Sequence, residues 1–458
     1  MINRKISKIS VLTVIISIIV TNTTAISGEV IKSDVQKDVK DQGPTDIVSW
    51  TYMVYWVGDM TVNTPDDKNA PGDVKMVLPA MNLMELSGST PEVNIVIQVD
   101  DYNIWGGDKG AFGGTRRYHI QNDDNPEELA DYTLNENVWY LEEQNMGNPN
   151  TLKDFINWAT SNYPAEHYIL VLAGHGGGWV GICSDYSSGI FNPDSIINIP
   201  EMGSVLSSCP HLDILLLYGC QMGQIEVYYE LKEFADIILA VESIMAGSPL
   251  MIEIPLEELT SNPQLTSEEI AQLFVDNYLP ELYYDIQGLS PLFGIQSKDI
   301  DNITNAVDNL AEAIIEQYRS NPLRTRLMLY SAFKNSTIVL QFKNSRDTDE
   351  YSHELYKFAE KLSVLSKNMM QTVYNAALKV ISVIDNSSII KPSNKSNENY
   401  HGAAIFSPPP IYSIGFIKYL NLIVAKFVTR KTKYNTLDFA KDANWDEFLN
   451  LYYLCFNL

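Results

Sequence analysis

"HLDILLLYGCQMG", residues 211–223, decides how this chain folds. Ile214 to Leu217 are apolar without a break, the pattern of a strand buried on both faces of a parallel sheet. Tyr218 and Gly219 close the run, Cys220 follows, and Gln221 to Leu231 read as a helix. A cysteine is ordinarily a small buried residue with no chemistry. Its place at the seam between strand and helix, in a chain with only four cysteines, has to be explained by what surrounds it.

Outward from this segment, strands and helices alternate. "WTYMVYWVGD" (50–59) and "VNIVIQVDD" (93–101) read as buried strands, with "VKMVLPAMNLMELS" (74–87) spaced as a helix between them. "GGTRRYHI" (113–120) reads as a short strand or ribbon outside the main sheet. "NPNTLKDFINWATSNY" (148–163) is a helix capped by Asn150 or Thr151, with Leu152, Phe155, Ile156 and Ala159 on its apolar face. The strand "HYILVLAGHGGGW" (167–179) breaks into glycines at His175. A helix at 201–208, the strand at 213–217, a helix at 224–235 and a strand at 237–243 follow. Apolar strands alternating with helices predict an α/β fold, with a mostly parallel central sheet flanked by helices on both faces. From about residue 265 amphipathic helices dominate, with strand candidates at 336–342 and 402–408; one or two further helices are expected over 349–381, and the C-terminus reads as helical. There is no internal repeat.

The 458 residues, 45 % of them hydrophobic, are enough for a sizeable core and suggest two or three domains. We divide the chain into a signal peptide (1–27), a polar leader (28–45), an α/β domain (46–262) and a helix-rich region contributing further strands (263–458). The signal peptide rests on Arg4, Lys5 and Lys8 ahead of "ISVLTVIISIIV" (9–20), with small residues in "TTAIS" (23–27). The apolar stretch is short for a membrane span, so a secreted or extracytoplasmic protein with no stable span after cleavage is expected. Cleavage near Ala25 removes three positive charges and no negative ones, taking the formal charge from −25 to −28. With 32 basic against 57 acidic residues, no basic stripe is available for a phosphate backbone, which argues against a nucleic-acid partner. Cys183, Cys209, Cys220 and Cys455 sit at no metal-ligand spacing, and C-x-x-C is absent. Pairing of Cys183 with Cys209 is left open.

In an open parallel sheet, ligands gather at the carboxyl ends of the strands. Two strands here end in reactive side chains, His175 and Cys220. If those strands are neighbours, thiol and imidazole share one rim, the arrangement thiol catalysis needs: a thiolate attacks and an imidazole handles its proton. A helix following Cys220 would favour the thiolate, and the glycines after His175 leave amides suited to an oxyanion. His119, His167, His211 and His353 lie in polar or flanking positions, and His401 at a strand start reads as structural.

At these residues the chain resembles the clostripain-like cysteine peptidases, which share the caspase-like α/β sandwich. The likeness runs in order through "WTYMVYWVGD", "VNIVIQVDD", "GGTRRY" (113–118), "NMGNPNTLKDFINW" (145–158), "YPAEHYILVLAGHGGGW" (163–179) and "GCQMGQIEVYYELKEFADIILAVES" (219–243). It continues in "HGAAIFSP" (401–408) and "WDEFLNLYY" (445–453), spanning roughly residues 46–455. The resemblance implies a secreted cysteine endopeptidase acting on peptide or protein substrates, with His175 and Cys220 as dyad. It implies an oxyanion hole from the backbone N–H groups of Gly176 and Cys220.

One departure bears on specificity. The family usually reads Asp-Ala-Cys before Met-Gly, and that Asp helps form an acidic S1 pocket. Here Tyr218 and Gly219 stand in the slot, and "IMAGSPL" (244–250), where a later pocket acid falls, contains none. A P1 cation buried without a carboxylate is costly, so the P1 preference is expected not to be basic. Tyr218, Glu242 and Ser243 are the candidate S1 residues, with Glu242 and Glu253 as acids that could compensate. Family members often mature by cutting after a basic residue between the dyad positions; from Asp154 to Leu231 there is no Lys or Arg. Processing then falls elsewhere (Lys32, Lys37 and Lys40 lie in the leader), at another residue type, or nowhere.

Two rivals stand beside this reading. "HGGG" (175–178) also matches an esterase oxyanion motif, but no G-x-S-x-G follows. The other is a catalytically weak or inactive homologue acting as a binding protein. No phosphate-binding glycine motif appears, and the sequence requires no cofactor. Calcium enters through the resemblance, with Asp59, Asp100 and Asp101 as oxygen ligands if it binds.

Overall fold

In the computed structural model the described residues are 47–58, 74–100, 114–123, 137–185, 192–245, 250–278, 289–342, 345–393, 399–407 and 433–453. The signal peptide, the leader with its lysines, Asp59, Asp101 and Cys455 lie outside them.

The described residues form twelve strands: β1 (Val48–Val57), β2 (Val93–Asp100), β3 (Thr115–His119), β4 (Val138–Tyr140), β5 (Ala165–Ala173), β6 (Leu212–Tyr218), β7 (Ala235–Val241), β8 (Leu292–Gln296), β9 (Thr337–Phe342), β10 (Ser345–Glu354), β11 (Ile389–Ile390) and β12 (Ala404–Phe406). Among the described residues, nine make one sheet in the order β11-β8-β7-β6-β5-β1-β2-β3-β4 and three make a second, β12-β10-β9. The five central strands, β7-β6-β5-β1-β2, are parallel. The outer pairings of the large sheet are antiparallel. The apolar runs therefore occupy the interior of the sheet, as strands buried on both faces must.

Alternate side chains of these strands enter two separate cores. Trp50, Tyr52, Val54 and Trp56 of β1 join Ile214, Leu216 and Tyr218 of β6 on one face. Met53, Tyr55 and Val57 join Leu215 and Leu217 on the other. The first face is covered by α1 (Val74–Ser87), α5 (Leu250–Ser261) and α6 (Ser267–Asn277). The second carries α2 (Pro149–Asn162), α3 (Ile199–Leu206), α4 (Ile225–Leu231), α7 (Ser297–Ser320), α8 (Pro322–Ser336), α9 (Leu355–Ser366), α10 (Gln371–Asn386), α11 (Asp438–Asp442) and α12 (Trp445–Tyr453). Residues 43–458 form one compact unit, and β8 and β11 carry the C-terminal half into the main sheet.

Four local expectations are corrected. Residues 115–119 lie inside the main sheet, paired antiparallel with β2. Arg117 is buried there: its Nε donates to Gln98 Oε1 at 2.7 Å and the guanidinium lies 5.0 Å from the Trp158 ring. Helix α2 is capped two or three residues earlier than read, by Asn148, with Pro149 in its first turn. The helix expected from residue 349 begins as strand β10, and α9 and α10 follow it. The helix after Cys220 starts only at Ile225.

Two acids of α4, the buried Glu226 and the half-buried Glu230, hold distant segments of the chain against the sheet. Glu226 Oε1 accepts from the Phe406 N–H at 2.9 Å and from the Tyr434 hydroxyl at 2.8 Å. Glu230 Oε1 accepts from the Phe439 N–H at 2.9 Å. Burial pushes both carboxyls up to about 7, against the pull of these hydrogen bonds.

Candidate active site

Strands β5 and β6 are parallel neighbours, with Ala173 opposite Tyr218. His175 and Cys220 each follow by two residues, so the register alone brings them to one rim at the carboxyl ends. The Gly174 N–H donates to the Tyr218 carbonyl at 3.2 Å, extending the ladder one step past the strands. Beyond that step the backbones nearly touch. A Cβ on Gly176 would stand 2.6 Å from the Cys220 carbonyl oxygen and 2.9 Å from its nitrogen, closer than real side-chain atoms come. The rim is half-buried at His175, Gly176 and Cys220, so it is accessible from one side.

The loop after His175 folds back at once. Gly176 bridges Ile182, and the Gly177 N–H donates to the Gly181 carbonyl at 2.9 Å. Gly178 has φ +61°, and a Cβ there would collide with the Gln224 side chain. That side chain fills the space: Gln224 Oε1 accepts from the Trp179 N–H at 2.9 Å, and Nε2 lies 3.4 Å from Ser352 Oγ as donor. Trp179 in turn packs on Phe406 and Tyr434, with ring centroids 5.4 and 5.2 Å away. Gln224 and this aromatic trio escape a sequence reading because they join segments far apart in the chain, Gln224 reaching Ser352 128 residues on and Trp179 meeting Phe406 and Tyr434.

The turn after Cys220 is not helical. Gln221 takes φ +62°, rare for a residue with a side chain. Its N–H donates to the Ser243 carbonyl at 2.6 Å, and the Gly223 N–H donates to the Val241 carbonyl at 2.8 Å. Residues 220–223 therefore lie across the end of β7, and α4, seven residues long and capped at Gln224, begins too late to bear on the thiol. The helix-dipole contribution expected at Cys220 is withdrawn. The small sheet reaches the same turn, for the Ala404 N–H donates to the Gly223 carbonyl at 2.8 Å.

Of the candidate S1 residues, Tyr218 is buried on the α1/α5 face, its ring 6.1 Å from that of Trp56. Glu242 is fully buried; its Oε1 accepts from the N–H groups of His401 (3.1 Å) and Gly402 (2.7 Å). Desolvation, and then the nearby Glu354, hold its carboxyl well above the usual range. Glu242 thus latches residues 401–402 through Oε1, in surroundings that favour its neutral form. Ser243 Oγ accepts from the Ser290 N–H at 2.7 Å, holding a second segment. Glu253 lies partly exposed in α5, and residues 246–249 of "IMAGSPL" are outside the described residues.

The other thiols and imidazoles have structural positions. Cys183, Cys209 and Cys220 are in no disulfide, so Cys183 and Cys209 are not paired. Burial raises the thiols of both Cys183 and Cys209. His167 Nδ1 lies 2.8 Å from Asp213 Oδ1, and His211 Nε2 lies 2.9 Å from Asp236 Oδ1. His119 and His353 are pushed down to about 4 by burial. His401, also lowered to about 4, stacks on Tyr356 with 3.9 Å between ring centroids. Asp100 Oδ1 accepts from the Thr115 hydroxyl at 3.2 Å, and among the described residues no three His, Cys, Asp or Glu side chains converge as a metal site would require.

The model of the clostripain family, Peptidase_C11, matches residues 80–452. Clostripain of Hathewaya histolytica is 24 % identical over 409 residues, covering 77 % of this chain and 74 % of its own length. Among solved structures, an inactive zymogen C11 protease from Parabacteroides distasonis aligns at TM-score 0.54 and 16 % identity. A secreted C11 cysteine protease from Bacteroides thetaiotaomicron, in complex with an irreversible peptide inhibitor, aligns at TM-score 0.52 and 17 % identity. Each alignment covers 87 % of this chain and 99 % of the other. The fold is the caspase-like α/β sandwich, and with a family model matching most of its length the chain belongs to the clostripain family of cysteine-type endopeptidases.

Proposed function

We propose that this peptidase is exported, that it cleaves through Cys220 and His175, and that it prefers an uncharged P1 residue. The observation that carries the dyad is the packing of the Gly176 backbone on that of Cys220, one step past the ends of two paired strands. In this reading the Cys220 thiol gives its proton to the His175 imidazole, and the thiolate sulfur attacks the scissile carbonyl carbon. The N–H groups of Gly176 and Cys220 take the developing oxyanion. The imidazolium returns the proton to the departing amine as the C–N bond breaks, leaving a thioester on Cys220. Water, deprotonated by His175, then hydrolyses the thioester and restores the thiol.

The P1 preference rests on Tyr218, a buried ring where the family carries an acid, and on Glu242, whose burial favours the neutral carboxyl. Neither offers a standing negative charge to a Lys or Arg side chain, and an unpaired buried cation costs several kcal/mol, roughly 10²-fold or more in discrimination. Calcium has no assembled site among the described residues, and no step here passes through it.

The test is a peptide library cleaved by the purified enzyme, run beside labelling with a thiol-directed peptide probe. Labelling that disappears in Cys220→Ala and in His175→Ala, with cleavage after uncharged residues, is expected. Wild-type protein that neither labels nor cleaves would leave a binding protein on a peptidase fold, and strong Arg or Lys preference would overturn the specificity.

A further inference from the structure

Eight large apolar side chains stand exposed among the described residues, and three of them form one row on α8. Leu323, Leu327 and Tyr330 are 72 %, 64 % and 43 % exposed, at the i, i+4, i+7 spacing that aligns side chains along a helix. The core side of the same helix is already supplied by Met328, Leu329, Ala332 and Phe333. The outer row is therefore additional to packing. Met369, 52 % exposed, extends it, since its sulfur meets the Arg324 guanidinium.

The charge around this row runs against that of the whole molecule. Helix α8 holds Arg324, Arg326 and Lys334 and no Asp or Glu, while α9, α10 and the turn between them hold Lys357, Lys361, Lys367 and Lys379 against Glu360 and Asp385, in a chain of net charge −25. The helices meet through the packing of α8 on α9 and of α9 on α10. Arg324, Lys334 and Lys367 are exposed, whereas Arg326 lies over the Tyr452 ring.

We propose that this face of α8 docks on an anionic lipid bilayer. Projecting aliphatic tips flanked by cations, with a tyrosine able to sit at headgroup depth, are the chemistry of an interfacial helix. Each cation near an anionic surface adds attraction. The acidic remainder of the molecule opposes this only weakly, because charges more than a Debye length of about 8 Å from the surface are screened. A second copy fits less well. Two-fold pairing of α8 on itself would set Arg324 of one copy toward Lys334 of the other, placing like charges together.

The test is flotation of the full chain with vesicles of phosphatidylcholine alone or with 30 % phosphatidylglycerol. An environment-sensitive dye on Leu327→Cys, in a Cys220→Ala background, reports locally. Binding at least tenfold tighter to the anionic vesicles is expected, weakened by salt, with a blue shift of the dye on those vesicles only. Leu323→Ser/Leu327→Ser/Tyr330→Ser and Arg324→Glu/Lys334→Glu should each lose tenfold or more in binding and keep peptide cleavage. Variants that bind like wild type with a dye that does not respond would overturn the proposal. So would a wild-type dimer in sedimentation that Leu327→Ser dissociates, because the row would then serve a second copy.

Discussion

The rim of the sheet and the C-terminal layer behind it are held by opposite means. At the rim, β5 and β6 bring residues 174–176 against 218–220 by ladder register and by the close approach of glycine backbone. In the C-terminal layer, segments around 401, 406, 434 and 439 are hung from the buried carboxyls of Glu242 and Glu226 and the half-buried one of Glu230. The first kind of contact is insensitive to pH and intolerant of a single methyl group. The second tolerates a change of shape and depends on a proton. Geometry is thus fixed at the rim that carries the proposed dyad, and these carboxyl contacts belong to the layer that braces it.

The sharpest way to break this contrast is Gly176→Ala. The added methyl would sit 2.6 Å from the Cys220 carbonyl oxygen and 2.9 Å from the Met222 sulfur, so one backbone has to move. Displacement on the order of 1 Å at a nucleophile costs about 10²-fold in rate, and overpacking of this kind about 1–3 kcal/mol in stability. Gly177→Ala is the control, for its nearest neighbour would be Val180 Cβ at an ordinary 3.7 Å. The expected outcome is a loss of kcat/KM of about two orders of magnitude in the first variant and near wild-type turnover in the second. Equal activities would mean that the rim adapts, and the contrast would lose its rigid half.

The titratable half is probed at Glu226. Its carboxyl is raised to about 7 in the folded chain from an ordinary value of 4.5. Between those values the folded state holds a proton that the unfolded state has released, so stability falls as pH rises through this window and is level on either side. A fully buried group shifted this far contributes on the order of 3 kcal/mol of pH dependence. Thermal melts from pH 4.5 to 8 should show the decline, and Glu226→Gln should make it shallower by this share, the rest coming from other raised acids such as Glu230, because the amide oxygen still accepts from Phe406 and Tyr434 without titrating. Glu226→Ala leaves an N–H and a hydroxyl without their acceptor and should cost about 2–3 kcal/mol at any pH. A melting curve in wild type that rises with pH over this range would show that these acids are charged pairs instead.

The two regions also differ in how far they can be read from sequence. The interior strands announce themselves, because a segment such as Ile214–Leu217 has no polar residue with which to face water. His175 and Cys220 were legible for the same reason: each lies just past such a run and beside a glycine. The antiparallel edges were not. Thr115–His119 carries two arginines whose partners, Gln98, Asp154 and the Trp158 ring, come from three other segments. Strand β10, "SRDTDEYSHE", is polar throughout and is a strand because β9 and β12 pair with it. Glu226 and Glu230, four apart, look like the solvated side of a helix, yet their hydrogen-bond partners lie about 200 residues further on. The onset of α4 was misplaced because the left-handed turn at Gln221 is imposed by β7, through the Ser243 carbonyl. What escaped at β3, at the α4 acids and in the pairing of β10 with β12 was a contact distant in sequence, whereas the start of α2 was a local cap read two or three residues late.

The smallest expected effect tests whether local signals on the sheet side are correspondingly independent of the rim. Helix α3 precedes β6 and is closed by a reciprocal capping box. Asn198 Oδ1 accepts from the Glu201 N–H at 2.9 Å, while Glu201 Oε2 accepts from the Asn198 N–H at 3.4 Å. Asn198→Ala removes one side of that exchange and should cost about 1 kcal/mol. Because the Asn198 side chain makes its bond within four residues, the loss should appear as a lower denaturant midpoint with an unchanged slope. Peptide cleavage should stay within about twofold of wild type, since the Gly176–Cys220 contact does not pass through the cap. Asn198 does sit next to the site loop, for Gly181 packs so tightly on Ile197 and Asn198 that its Cβ would stand 3.0 Å from the Asn198 Cα. A tenfold loss of cleavage at full folding would therefore show that the cap positions the loop after His175, and that the rigid region extends from the rim into α3.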